Sequence, residues 1–191
     1  NNKLFKIKGL ILPHANQFYY SNIKTKIINK KIKTLNSDKL NDIYKFIKEL
    51  EPELVIISTF NKILHNKILK LSKFINIHHG KLPQQKGRAS INWAIIMGRK
   101  EIFITIHEVV PRLDSGKIII QKKIKIYKND DYLKIQNKIS LFLKKRISLI
   151  VKKYVNNKFN LKNNNSLKET WNCSRNPEDS IPKSIDAQIV S

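Results

Sequence analysis

Asn76 and His78 stand two residues apart at the end of an apolar run, and Asp114 follows in the tripeptide Asp114–Ser115–Gly116. Residues two apart on a strand point to one face. An amide, an imidazole and a carboxylate brought together suit attack on a carbonyl carbon. The amide N–H and a protonated imidazole stabilise charge on the carbonyl oxygen, an effect whose loss costs ~3–4 kcal/mol. The carboxylate takes a proton from the attacking group, directly or through water. A plainer reading stands beside this one: an Asn and a His that cap a turn, and a common Asp-Ser-Gly loop.

Other reactive side chains read as structural. His79 adjoins His78 but points to the opposite face, with no acidic or Cys partner at ligand spacing, so no metal is expected. His107 lies mid-strand in ITIHEV and reads as a structural hydrogen-bonding histidine. Cys173 is the single cysteine and lacks a nearby base, so it reads as inert. Arg175, Glu178 and Asp179 form a salt-bridged turn on this reading. There is no phosphate-cradling Gly-rich motif of the Walker or dinucleotide type.

Strand–helix alternation must position the trio. Phe5–Leu12 reads as a strand ending at Pro13, and Lys24–Ile32 alternates Lys and Ile as a half-exposed strand. Ser37 is placed to cap a helix from Asp38 to Leu50, whose Leu40, Ile43, Tyr44, Ile47 and Leu50 share one face. Leu54–Ser58 reads as a strand covered on both sides, Ile63–Leu71 as a short helix and Phe74–His78 as the next strand. Ser90–Met97 is a helix closed by Gly98. Ile102–Val110 and Ile118–Ile126 are strands. Asp130 and Asp131 open a long helix to about Tyr154, with Ile135, Ile139, Phe142, Leu143, Ile147, Ile150, Val151 and Tyr154 as its buried stripe. This order predicts an α/β fold with a mainly parallel sheet, which binds ligands at the C-terminal ends of its strands. Four of the five glycines fall between Gly80 and Gly116, where special loops are expected.

The net charge of +24 over 191 residues invites a nucleic-acid reading. The excess is spread along the chain, however, and only five of the 38 basic residues are Arg, so composition explains most of it. With 41% hydrophobic residues the chain can bury a core, and no apolar run is long enough to span a membrane. No secretory leader is recognised, and a cytoplasmic setting is expected. The chain opens at Asn1 and its single Met is Met97, which reads as a processed chain or a fragment.

The stretch from about Leu54 to Ile126 resembles the formyltransferase family that uses 10-formyltetrahydrofolate. Its members carry Asn-x-His at a strand end, a small residue before Leu-Leu-Pro, a Gly, and then Asp-x-Gly-x-Ile. The counterparts are Asn76-Ile77-His78, Gly80-Lys81-Leu82-Pro83, Gly87 and Asp114-Ser115-Gly116-Lys117-Ile118. Gln84-Gln85-Lys86 departs from the aromatic-Arg end of that loop. Ser174–Ile181 (SRNPEDSI) is similar to a stretch that follows the catalytic domain in methionyl-tRNA and sugar formyltransferases.

The resemblance implies a Rossmann-like core over residues 1–155 lacking its first strand, then a linker and the start of a C-terminal region over 156–191. It implies formyl transfer from 10-formyltetrahydrofolate to a primary amine, carried by tRNA-borne methionine or a nucleotide-linked amino sugar. Asn76 and His78 would hold the formyl oxygen, and Asp114 would orient His78 and help move the amine proton. Phe60, Val109, Val110 and Leu113 would face the folate, and His79, Lys81, Lys86 and Arg88 the acceptor. Two alternatives remain open: a formyltetrahydrofolate hydrolase, and an inactive fragment or basic RNA-binding module.

Overall fold

The computed structural model describes residues 5–12, 32–165 and 169–172. The Lys24–Ile32 strand reading, apart from Ile32, lies outside the described residues, as do Cys173 and the SRNPEDSI segment. The elements are β1 (Gly9–Leu12), β2 (Lys33–Asn36), α1 (Leu40–Leu50), β3 (Leu54–Ser58), α2 (Asn66–Leu69), β4 (Lys73–His78) and β5 (Lys86–Gly87). They continue as α3 (Ser90–Ile96), β6 (Glu101–Glu108), β7 (Ile118–Lys125), α4 (Tyr132–Val155) and β8 (Trp171–Asn172).

The central sheet has the order β3-β4-β6-β7. β3 and β4 run parallel, while β4–β6 and β6–β7 are antiparallel. β1 pairs with β2 in parallel as a separate ribbon, and β5 pairs with β8 in parallel. The α/β fold is as expected, with parallel pairing in the first half and antiparallel pairing confined to β4, β6 and β7. Ile11 and Leu12 of β1 and Val55–Ser58 of β3 line one cavity of about 220 Å³, and no described strand lies between them.

Strand β4 organises the two cores because its side chains alternate. Ile75 and Ile77 face Ile102, Ile104 and Ile106 of β6 and the stripe Ile135, Ile139, Ile150, Val151 and Tyr154 of α4. Phe74 faces the other way, onto Ile43 and Ile47 of α1, Ile68 of α2 and Leu64. Each fully buried Ile contributes roughly 1.5–3 kcal/mol over an exposed one. Asn76 and His78 belong to the Phe74 face, at its C-terminal end.

The helix ends follow local chemistry. Asp131 caps α4, its carboxylate accepting from the Lys134 N–H at 2.7 Å. Gly98 (φ 58°) ends α3, with Gly98 N–H bonded to Ile95 O and Arg99 N–H to Ala94 O, a Schellman turn. Ser37 does not cap α1 as expected. The N-cap position falls on Lys39, and the Ser37 hydroxyl accepts from Lys39 N–H and donates to Asp42. Nor is β3 covered on both faces, since Ile56 is 44% exposed.

Candidate active site

The antiparallel register of β4 and β6 sets His107 directly opposite Asn76. A bulge between Ile106 and His107 marks the point where β6 departs from regular pairing with β7. The loop beyond β6 then returns Asp114 to the pair. Asn76 Nδ2 lies 3.2 Å from His107 Nε2 and 3.4 Å from Asp114 Oδ1. Asp114 Oδ2 lies 3.6 Å from His78 Nδ1, and Asp114 Oδ1 lies 3.4 Å from His107 Nε2. Gly87 N–H donates to Asp114 Oδ2 at 3.0 Å. His78, His107 and Asp114 are all buried. The structure thus brings together the three residues singled out by type and spacing.

Two carbonyls fix the protons on the rings. His78 Nε2 meets Gln85 O at 2.5 Å, so Nε2–H donates there. His107 Nδ1 meets Glu108 O at 2.6 Å, so Nδ1–H donates there. In the neutral rings the nitrogen left bare on each points to Asp114. A proton arriving on either would be shared with the carboxylate, so the cluster is built to accept one.

Burial pushes the His78 pKa down, with Asp114 and Gln85 O working against it. Burial alone would raise the Asp114 pKa, but His107, His78 and the Gly87 N–H together hold it below the usual carboxylate value. His79 is lowered to about 4, chiefly by burial and then by His78. At neutral pH the site therefore holds an ionised Asp114 carboxylate, and burial favours the neutral form of His78 and His79.

Two cavities reach Asn76 and Asp114. One, of about 50 Å³, is a crevice whose apolar walls include Ile57, Phe60, Val109, Val110 and Leu113. All four residues expected to face the folate lie in it. The other, of about 460 Å³, contains His78, His79, Lys62 and Arg88 in its lining. Of the four residues expected to face the acceptor, His79 and Arg88 line this cavity. Arg88 also donates to the Asn61 carbonyl across it.

Lys81 and Lys86 are placed elsewhere. The Lys81 ammonium lies 5.3 Å from the Phe103 ring centre, outside the cavity lining. Lys86 is fully buried and bonded to Ser115 Oγ at 2.8 Å and Glu169 Oε1 at 2.7 Å. Its charge is already matched, so the expected phosphate contact does not hold for Lys86. The pairing of β5 with β8 turns this side chain inward.

Sequence reasoning missed the part played by His107, for which it foresaw only a structural hydrogen bond. No local signal in the sequence shows it, because it depends on the antiparallel pairing that places a mid-strand His against Asn76. It also read 156–168 as a linker or exposed loop. The described part, 156–165, is irregular and mostly exposed, but Lys162 bridges backbone-to-backbone with Ile118 and Asn164 is buried under the Asp114 loop.

A protein-family model described as formyl transferase matches residues 15–151. The chain is 34% identical over 126 residues to the methionyl-tRNA formyltransferase of Caldanaerobacter subterraneus subsp. tengcongensis, covering 63% of this chain and 41% of that protein. It is 29% identical over 164 residues to the bifunctional polymyxin resistance protein ArnA of Wigglesworthia glossinidia brevipalpis, covering 80% and 25%. The chain thus spans about two fifths or less of these relatives. Its fold is similar to that of HypX from Aquifex aeolicus in complex with tetrahydrofolic acid, with a TM-score of 0.62 at 14% identity, over 91% of this chain and 31% of that one.

Proposed function

Because the chain belongs to the formyl transferase family, we propose that Asn76, His78 and Asp114 carry formyl transfer from a 10-formyltetrahydrofolate-type donor to a primary amine. The observation that carries this reading is their convergence where an apolar crevice meets a roomier cavity with basic residues in its wall. The apolar walls Phe60, Val109, Val110 and Leu113 suit contact with one edge of a flat, partly apolar donor. The acceptor enters by the larger cavity, beside His79, Lys62 and Arg88.

The donor supplies the formyl carbon and a nitrogen leaving group. Asn76 turns the N–H that meets Asp114 Oδ1 at 3.4 Å toward the formyl oxygen, where negative charge grows as the amine attacks. Ionised Asp114 takes the proton that the attacking amine sheds, directly or through water, and passes it to the bare Nδ1 of His78 that faces it. Asp114 stabilises the resulting imidazolium, and that proton then passes to the departing nitrogen. A new C–N bond forms, the old one breaks, and one proton moves between the two nitrogens. His107 donates to Glu108 O and holds Asn76 and Asp114 in register.

The acceptor proposed is methionine on tRNA or a nucleotide-linked amino sugar, since both bring phosphates toward Arg88 and Lys62. No described helix is long and apolar enough to cross a membrane, and we place the reaction in the cytoplasm. We also place the end of the catalytic core beyond residue 155, because Asn164 and residues 169–172 hold its loops.

The test compares the complete protein with Asp114→Asn, using 10-formyltetrahydrofolate with each acceptor and with water alone. Loss of about 10²–10⁴ in kcat on an amine acceptor is expected. Unchanged turnover would remove Asp114 from the mechanism. Release of formate without an acceptor, at the rate seen with one, would turn the reading to a hydrolase.

A further inference from the structure

We propose that Asn164, in the Asn-rich segment after α4, is a positioning residue that holds the Asp114 carboxylate against His78 and His107. The inference rests on the proposed role of Asp114.

Asn164 is 2% exposed. Its Nδ2 donates to Asp114 O at 2.8 Å and to Gly116 O at 2.9 Å. One amide group thereby ties both ends of the turn that carries the carboxylate. Its own backbone is anchored nearby, because Lys162 and Ile118 exchange N–H···O bonds of 2.8 and 2.9 Å. Its Oδ1 is buried with no partner among the described residues. The side chain is therefore kept inside for what its N–H groups do.

The turn needs such a tie. Asp114 adopts φ 47°, the left-handed region, which Asp enters more readily than most L-residues but still at a cost. Released from Asn164, the loop is free to relax to negative φ, which swings the carboxylate away. The contacts at risk have little slack: 3.4 Å to His107 and 3.6 Å to His78. Gly87 N–H and Asn76 Nδ2 meet the Asp114 carboxylate itself at 3.0 and 3.4 Å, and the loop's other side-chain bonds act elsewhere than Asn164 does. Ser115 Oγ donates to Leu113 O, and Lys86 Nζ donates to Ser115 Oγ, so both act on the residues beside Asp114 rather than on its own carbonyl.

The test uses Asn164→Ala and Asn164→Ser in the complete protein, with two readouts. The first is kcat and KM for formyl transfer to an amine. The second is the titration of the Asp114 carboxyl carbon by ¹³C NMR, which needs no turnover. For Asn164→Ala, kcat is expected to fall about 10- to 100-fold with KM for the donor little changed, as for a displaced reacting group. The Asp114 titration is expected to move up toward the ordinary carboxylate range as its His and Gly87 contacts loosen. Ser keeps one donor and should fall between. It also carries the test should the Ala variant fail to fold.

A purely structural role would lower the melting temperature and the active fraction without moving that titration. Folded variants with kcat within twofold and an unmoved Asp114 titration would overturn the inference. Should the parent protein transfer no formyl group, the proposed function fails, and the NMR titration still decides the role of Asn164.

Discussion

Breaking the buried Lys86–Glu169 pair one side at a time should give unequal results. The Lys86 side chain is 0% exposed and that of Glu169 is 16% exposed. Glu169→Ala leaves a buried ammonium with Ser115 Oγ as its remaining bonded oxygen and the Trp171 ring 5.5 Å away. Removing one partner of a buried pair typically costs ~3–5 kcal/mol. The partial exposure of Glu169 lets water reach the gap, so about 2–4 kcal/mol is expected. Lys86→Met removes the buried charge itself. Its orphaned partner, Glu169, keeps Arg112 at 2.9 Å and some solvent, so the cost should be about 1 kcal/mol. The double variant should then cost no more than about 1–2 kcal/mol, a coupling near 2 kcal/mol. For a chain of this size, Glu169→Ala should lower Tm by roughly 6–12 °C and Lys86→Met by roughly 2–4 °C. Urea and thermal melts followed by circular dichroism measure all three. Equal losses in the two single variants, adding in the double, would refute the claim that the buried ammonium sets the cost.

Other outcomes follow from single positions. A Cβ on Gly116 would overlap the Glu108 carbonyl, whereas one on Gly98 would meet nothing. Gly116→Ala should therefore cost about 3 kcal/mol or more and Gly98→Ala, at φ 58°, about 1 kcal/mol, by urea melts. His79 is held at about 4 when folded against 6.5 as a free side chain, so below pH 6.5 the unfolded chain binds more protons and stability falls. The loss builds between pH 6.5 and about 4. The shift sets an upper limit of ~3 kcal/mol, which partial solvent access cuts to about 1–2 kcal/mol. His79→Gln should flatten that limb, and an unchanged pH–stability curve would contradict the assignment. Phe60→Ala should raise KM for the folate donor roughly tenfold with kcat nearly unchanged, since Phe60 lines the crevice and touches no reacting atom.

Elements with strong periodicity were legible in the sequence. The α4 stripe, β3 and β4 fall within a residue or two of their expected bounds, and Asn76, His78 and Asp114 converge as their types and spacing suggested. What escaped depends on partners distant along the chain. Periodicity shows that Ile102–Val110 is a strand but not that it runs antiparallel to β4, so His107 was read apart from Asn76. Lys86 looks like any loop lysine until Glu169, 83 residues later, arrives beside it. Asn164 sits in a run of asparagines whose composition signals a loop, and no local pattern distinguishes the one whose amide reaches two carbonyls. At α1, Ser37 had the right side chain for an N-cap, but the helix begins two residues later, and the hydroxyl serves the approach instead.

The bridge between Lys162 and Ile118 bears on how this protein tolerates being cut. A protease nick or a trimmed terminus just after α4 would spare Asn76, His78 and Asp114, and both cavities, in the amino-acid sequence. It would also release Asn164 from the Asp114 turn, Glu169 from Lys86 and β8 from β5 in one event. Such a product would keep its recognisable motifs and its α4 core while losing the tension that shapes the reactive loop. Partial digestion followed over time should therefore extinguish activity well before the helical signal of the core declines.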